Sequence, residues 1–179
     1  MVRIFASLAA FALVMLAVAL VLGFYVSSTG AAQNVELRST FRIHFLVGVL
    51  SAIVVILVNS IAMTYFIGTS RWCKEVSDTY ELPSEHVQTS VRLKRSAFPW
   101  ALASTLIVIG VIVLGGAADT RPNAVANWAT WHLLGALAGV AFVAFSFFIQ
   151  GQRIAEHHAV IEAIVAEVRK IRQERGLEV

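Results

Sequence analysis

Long apolar runs alternate with short polar segments along this chain. Four runs stand out, over residues 4–26, 43–67, 98–118 and 128–150. Each is close to the roughly 20 helical residues that cross a hydrocarbon core of about 30 Å. The pattern therefore predicts an all-α polytopic membrane protein, in which four transmembrane helices form an up-down bundle.

The segments outside these runs complete the predicted organisation. We expect a first transmembrane hairpin over 1–68, a helical connector over 69–97, a second hairpin over 98–150 and an amphipathic C-terminal helix over 151–179. Pro83 follows a break at Glu81–Leu82 and favours two short helices in the connector, lying at the membrane surface. The connector and the C-terminal helix together would form a helical cytoplasmic subdomain.

The C-terminal helix carries an apolar stripe. Residues of this stripe recur at intervals of three and four: Ile154, His157, Ile161, Ile164, Val168 and Ile171. Such a stripe needs a partner surface, which either the 69–97 connector or another subunit would supply. We interpret His157 as part of this packing rather than as a metal ligand.

Composition and charge narrow the class of protein. Of the residues, 58% are hydrophobic and 14% charged, which is typical of a membrane protein. The single cysteine, Cys73, excludes an internal disulfide and the C-x-x-C-H attachment of c-type haem. The sequence contains no motif of a phosphate-binding loop or of a hydrolase nucleophile. We expect neither a nucleic-acid partner nor a soluble-substrate enzyme.

Basic residues predict the orientation. All but three of the 14 lysines and arginines lie before the first run, between the second and third, or after the fourth. The exceptions are Arg38, Arg42 and Arg121. Because lysine and arginine accumulate in cytoplasmic loops, we expect both termini in the cytoplasm, in a bacterial cytoplasmic (inner) membrane. The basic run at Arg92, Lys94 and Arg95 would meet anionic lipid head groups.

Two histidines begin two of the runs, His44 in "RIHFLVG" and His132 in "TWHLLGALAG". In the predicted topology both lie near the outer surface, on diagonally opposed helices. His44 shares a helix face with Gly48, and His132 shares one with Gly139, flanked by Gly135. Polar and small residues turn toward the interior of a membrane bundle, so the two imidazoles are expected to meet across its axis.

The two runs also resemble each other. "HFLVGVLSAIV" and "HLLGALAGVAF" share the pattern H-x3-[GA]-x2-[SG]. This similarity favours two helix hairpins in tandem, related by a pseudo-two-fold axis along the membrane normal.

Two facing imidazoles can ligate one haem iron from opposite sides. With the four helices and the glycines beside His44 and His132, this arrangement resembles the haem-bearing cores of b-type membrane cytochromes. The resemblance implies one haem b with His44 and His132 as its metal ligands and with room for the porphyrin at Gly48, Gly135 and Gly139. On the same side of the membrane, Arg38, Arg42 and Arg121 would pair with the propionates. The protein would then transfer electrons or hold haem within a larger assembly, contacting other membrane subunits or forming a homo-oligomer through its C-terminal helix.

Other interpretations remain open. The histidines would be structural if the chain is a non-catalytic scaffold or assembly subunit of a membrane complex. Copper or zinc would need further ligands that the sequence does not supply nearby. A small channel or transporter is a third class, although the runs lack the acidic residues typical of one. Asn59 is expected to hydrogen-bond between helices, and no histidine lies near it to ligate a second haem.

Overall fold

The computed structural model describes residues 1–30, 35–120 and 127–177 of the chain, without the side chains of residues 119 and 120. These residues form four long helices: α1 (Val2–Thr29), α2 (Arg38–Tyr80), α3 (Ser84–Thr120) and α4 (Trp128–Glu174). Each helix is long and apolar enough to cross a membrane. The predicted all-α bundle of four helices, each apolar enough to span a membrane, is therefore confirmed, and these four candidate spans indicate an integral membrane protein.

The helices pack in an up-down order. The α1 and α3 helices each contact both α2 and α4, and α2 also touches α4 across the bundle, whereas α1 and α3 do not touch within the described residues. The pair α2 and α4 therefore forms the short diagonal of the bundle, and side chains from these two helices can meet on its axis.

Small and polar residues fill the bundle, and large apolar residues cover it. Alanine, valine and serine are prominent among the fully buried positions of α2. Large apolar side chains such as Phe45, Leu106 and Phe148 are at least half exposed. Because lipid tails are as apolar as the side chains, no hydrophobic effect drives bulky residues into a membrane bundle. Membrane helices instead use small residues to approach closely and present bulky apolar ones to lipid. The outer surface therefore suits contact with a lipid bilayer.

A buried polar layer ties three helices together near the middle of α2. The Asn59 amide donates to Ser104 Oγ at 2.7 Å, and the Gln150 amide donates to Asn59 Oδ1 at 3.0 Å. The predicted interhelical role of Asn59 is confirmed. Such bonds each contribute about 0.6 kcal/mol in membrane proteins, but they also fix the register of the helices.

The connector differs from the expectation of two short helices at the membrane surface. Its residues instead continue α2 as far as Tyr80 and begin α3 at Ser84, so that only three residues join the two helices. Glu81 adopts a left-handed conformation with φ 54°, and the amide of Leu82 donates to the Ser77 carbonyl at 2.9 Å. The helices remain intact because a buried face continues along α2 through Ser70, Cys73 and Ser77 and packs on α3.

The C-terminal helix is the continuation of α4, as predicted. Ile154, His157 and Ile164 on its stripe are fully buried. Part of their cover comes from α2 and α3 of the same chain, since His157 lies against Tyr65 and Ser90, and His86 meets the Glu167 carboxylate at 3.0 Å. We call the three-helix region formed by residues 69–97 and 151–174 the helical extension.

Candidate functional site

The two predicted histidines meet at the end of the bundle opposite the helical extension. The ring centroids of His44 and His132 lie 6.3 Å apart, and the ring planes are inclined by 69°. Each histidine lies near the start of its helix, one on α2 and one on α4. The prediction that these side chains meet across the short diagonal of the bundle is confirmed.

A glycine on the neighbouring helix seats each imidazole. A Cβ atom at Gly23 of α1 would lie 3.0 Å from Cε1 of His44, and one at Gly115 of α3 would lie 3.0 Å from Cε1 of His132. A separation of 3.0 Å is tighter than nine in ten real Cβ contacts, so a side chain at either glycine would require the imidazole to shift by a few tenths of an ångström. Each hairpin therefore contributes one histidine and one supporting glycine.

The His132 ring is also held by a hydrogen bond. Its Nδ1 lies 3.1 Å from the Val111 carbonyl oxygen. A carbonyl only accepts, so Nδ1 carries the hydrogen and, in the neutral ring, Nε2 keeps its lone pair. Val111 lies one turn before Gly115 on α3, and the missing side chain at Gly115 lets the imidazole approach this helix. The result is an oriented imidazole with Nε2 as its remaining ligating nitrogen.

Gly48 has open space beside it, one helical turn from the pair. It lies one turn after His44, on the helix face that continues through the fully buried Ser51 and Val55. A Cβ atom at Gly48 would nevertheless have no atom within 4 Å. Space is therefore open next to Gly48, which is itself only half-buried.

The other predicted glycines have a different environment. A Cβ at Gly135 would meet Leu114 at 3.0 Å, and one at Gly139 would meet Val111 and Ile107 at 3.2 and 3.3 Å. Both glycines therefore allow α4 to approach α3 closely. Their observed contacts are those of helix packing.

Of the three predicted arginines, the structure describes two. Arg38 and Arg42 are exposed in the first turns of α2. Since each helical residue turns the chain by ~100°, Arg42 points about 160° away from His44. Arg121 lies outside the described residues. The structure thus brings His44 and His132 together, but it places neither Arg38 nor Arg42 beside them.

Two imidazoles are the metal donors that the described residues bring together at this site. Across the described ranges, no group of three or more histidine, cysteine or carboxylate side chains is positioned to hold a metal ion. Zinc and copper sites built from protein side chains usually need three or four ligands. A metal that brings most of its own ligands is better matched to this site.

Sequence reasoning missed Gly23 and Gly115, although a signal was present. The stretches "ALVLG" (19–23) and "VIVLG" (111–115) end at these glycines and differ only by exchanges between aliphatic residues. Taken with the similarity around the histidines, this second match extends the internal repeat over both helices of each hairpin.

Comparison with known proteins identified no relative: no family model, no curated protein and no solved structure matches this chain. Any functional conclusion therefore depends on the site itself.

Alanine substitutions at two glycines of α3, Gly115 and Gly110, are expected to change thermal stability differently. Gly115→Ala should lower the thermal unfolding midpoint in detergent, because its Cβ would press on His132 and overpacking typically costs about 1–3 kcal/mol. Gly110→Ala is the matched control on the same helix, since its Cβ would meet nothing within 4 Å. It should be neutral or raise the midpoint, as alanine favours helices over glycine by about 1 kcal/mol. Equal effects of the two substitutions would contradict the seat at Gly115.

Proposed function

We propose that this chain is an integral membrane subunit that binds one haem b at the histidine end of the bundle. His44 and His132 would be its axial ligands. The subunit would transfer electrons or hold haem within a larger membrane assembly. The observation that carries the proposal is the separation of the two rings.

The separation is that expected of two imidazoles sharing one metal ion. A metal–nitrogen bond is ~2.0 Å long, and the nitrogen lies about 1.1 Å from the centre of a five-membered ring with bonds of about 1.33 Å. Two such rings on opposite sides of one ion therefore have centroids roughly 6 Å apart. The centroids of His44 and His132 are 6.3 Å apart.

The residues around the two histidines have different roles in this proposal. The Val111 carbonyl and Gly115 orient His132, and Gly23 seats His44. Gly48 supports the proposal because it leaves room beside the ligands, whereas Gly135 and Gly139 are assigned to helix packing. When bound, the haem supplies an iron centre that gains or loses a single electron. The protein supplies two nitrogens, and its apolar surroundings limit access by water.

One haem is proposed because the far half of the bundle has no comparable histidine pair among the described residues. Asn59 lies 15 residues beyond His44, or about 22 Å along the helix, and it is occupied by hydrogen bonds to Ser104 and Gln150. Further out, His157 is enclosed between Ser90 and Tyr65. Transfer of electrons across the whole membrane would therefore need a second, partner subunit.

The proposal has a direct experiment. The protein, expressed with ample haem and purified in detergent, should show a Soret band and the narrow reduced α-band of low-spin bis-histidine haem b. The pyridine haemochrome assay should give one haem per chain. A colourless protein under these conditions would overturn the cytochrome proposal.

A structural role for the histidines is the second candidate function. It is favoured by the inclination of the two rings, because edge-to-face pairs of aromatic rings have centroids within about 4.5–7 Å of each other, and by the bond between His132 and Val111. In that case the chain would be a non-catalytic assembly subunit. It would remain colourless, and conservative replacement of His132 by Gln would leave its assembly unchanged.

We also propose that the histidine end faces the periplasm of a bacterial cell and that the helical extension faces the cytoplasm. Lysine and arginine accumulate on the cytoplasmic side of membrane proteins, and ten of them fall in the extension or its flanks. These are Arg71, Lys74, Arg92, Lys94, Arg95, Arg153, Arg169, Lys170, Arg172 and Arg175.

Cysteine labelling tests this orientation. Cys73 is fully buried and should not react. Val35→Cys, at a position 82% exposed before α2, should react with a membrane-impermeant maleimide on intact cells. Gln173→Cys, at the exposed end of α4, should react only after lysis. The reverse pattern would overturn the orientation and place the histidines on the cytoplasmic side.

A further inference from the structure

An open groove runs along α3 where the helix leaves its apolar segment. The groove has a volume of about 630 Å³ and is lined by Val87, Gln88, Val91, Arg92, Arg95 and Ser96. The apolar segment of the helix begins two residues after Ser96. The groove therefore lies beside the boundary between the membrane and the helical extension.

The charged end of the groove continues into the lipid-facing surface. Spacings of three and four residues connect Arg92 and Arg95 to a stripe of exposed apolar side chains further along α3, namely Phe98, Leu102, Leu106, Ile109 and Val113. Residues at these spacings share one helix face. One side of α3 thus presents two guanidinium groups followed by a long apolar track.

The two guanidinium groups are available to a ligand. Arg92 and Arg95 lie on adjacent turns and are exposed. Within the part of the chain that the structure describes, neither forms an ion pair with a carboxylate. Two adjacent guanidinium groups suit a phosphate group, which accepts paired hydrogen bonds from arginine.

We propose that this groove binds an anionic glycerophospholipid of the surrounding membrane. Its phosphate would contact Arg92 and Arg95, and its acyl chains would follow the apolar stripe of α3. An amphiphilic anion matches both parts of this surface, whereas a soluble anion matches only the first. The proposal is independent of haem binding.

The test compares lipid affinity in the full-length protein. Purified protein would be titrated with phosphatidylglycerol or phosphatidylcholine in detergent, and bound lipid would be counted by native mass spectrometry. A basic residue near a membrane surface contributes about fivefold to binding. The double variant Arg92→Gln/Arg95→Gln should therefore bind phosphatidylglycerol roughly thirtyfold more weakly than the unmodified protein, and phosphatidylcholine should bind weakly to both.

A variant of equal charge separates the site from a general effect of charge. Lys74→Gln/Arg169→Gln also removes two positive charges, at exposed positions outside the groove, and should keep the original affinity. An equal loss of affinity in this control would overturn the proposal. Glycerol phosphate at the same concentrations should not compete, and its competition at matching affinity would assign the groove to a soluble phosphate ester instead.

Discussion

Alanine in place of either His44 or His132 should abolish the low-spin spectrum of the haem-loaded protein. Low-spin haem b needs a side-chain ligand at both axial positions, and the single imidazole left in each variant fills only one. The two variants should lose the narrow reduced α-band to the same extent, and the double variant should be no worse, because one shared site is lost in each case.

The control for this experiment is His158→Ala. His158 is on α4 like His132, but it lies 26 residues further along, or about 39 Å, and its side chain is 45% exposed. The substitution should leave the spectrum unchanged. His132→Met gives a second check, because a thioether can replace one imidazole as an axial ligand and should restore coordination with a raised reduction potential. A low-spin spectrum that survives both alanine substitutions would contradict ligation by this pair.

The internal repeat explains why the site lies on the bundle axis. Each hairpin pairs a histidine on its second helix with a glycine on its first, Gly23 with His44 and Gly115 with His132. Because α2 and α4 form the short diagonal, the repeat brings the histidines face to face and leaves the glycines behind them. The site is thus shared equally between the hairpins, and neither hairpin could form it alone.

Much of the fold could be predicted because hydrophobic periodicity controls it. The four apolar runs, the inward face of α2 and the continuation of α4 past Gln150 all follow from helix geometry and length. The connector could not be predicted in the same way. Polarity around Glu81 correctly marked the turn, but a polar sequence does not reveal whether helices lie on a membrane or continue out of it. That outcome depends on packing between Ser70 and Ser90, whose hydroxyl groups lie 3.0 Å apart on different helices.

The site was predictable only in its histidines. A histidine in an apolar helix is conspicuous, and equal depth in two parallel helices indicated that the pair would meet. Glycines are harder to assign, because the same residue type borders open space at Gly48, allows close packing of two helices at Gly139 and makes room for an imidazole ring at Gly115. Those three uses depend on what faces the glycine from another helix, which periodicity within one helix cannot specify.

The helical extension should become unstable in mild acid because of His157. This side chain is fully buried, with Nε2 2.8 Å from Ser90 Oγ and its ring edge-to-face with those of Tyr65 and Phe66. Burial lowers the pKa of His157 from its ordinary 6.5 to about 4. The folded extension thus holds His157 neutral where the unfolded chain would protonate it.

The sign of the pH dependence follows from this difference. Between pH 6.5 and about 4 the unfolded state binds more protons at His157, so the free energy of unfolding falls as the pH falls. The contribution of His157 is complete above pH 6.5, and about 2 kcal/mol of it should be lost by about pH 5. Limited proteolysis of the extension, followed from about pH 7.5 to about pH 5, would measure the change.

Two substitutions isolate His157 from the other titrating groups. His157→Gln keeps a hydrogen-bonding group near Ser90 but cannot take up a proton in this range, so its extension should lose little protection as the pH falls. His158→Gln removes a neighbouring histidine that is half exposed, and it should keep the pH dependence of the unmodified protein. If His157→Gln were as acid-sensitive as His158→Gln, the acid lability would arise from other groups, and the buried imidazole would have no measurable share in it.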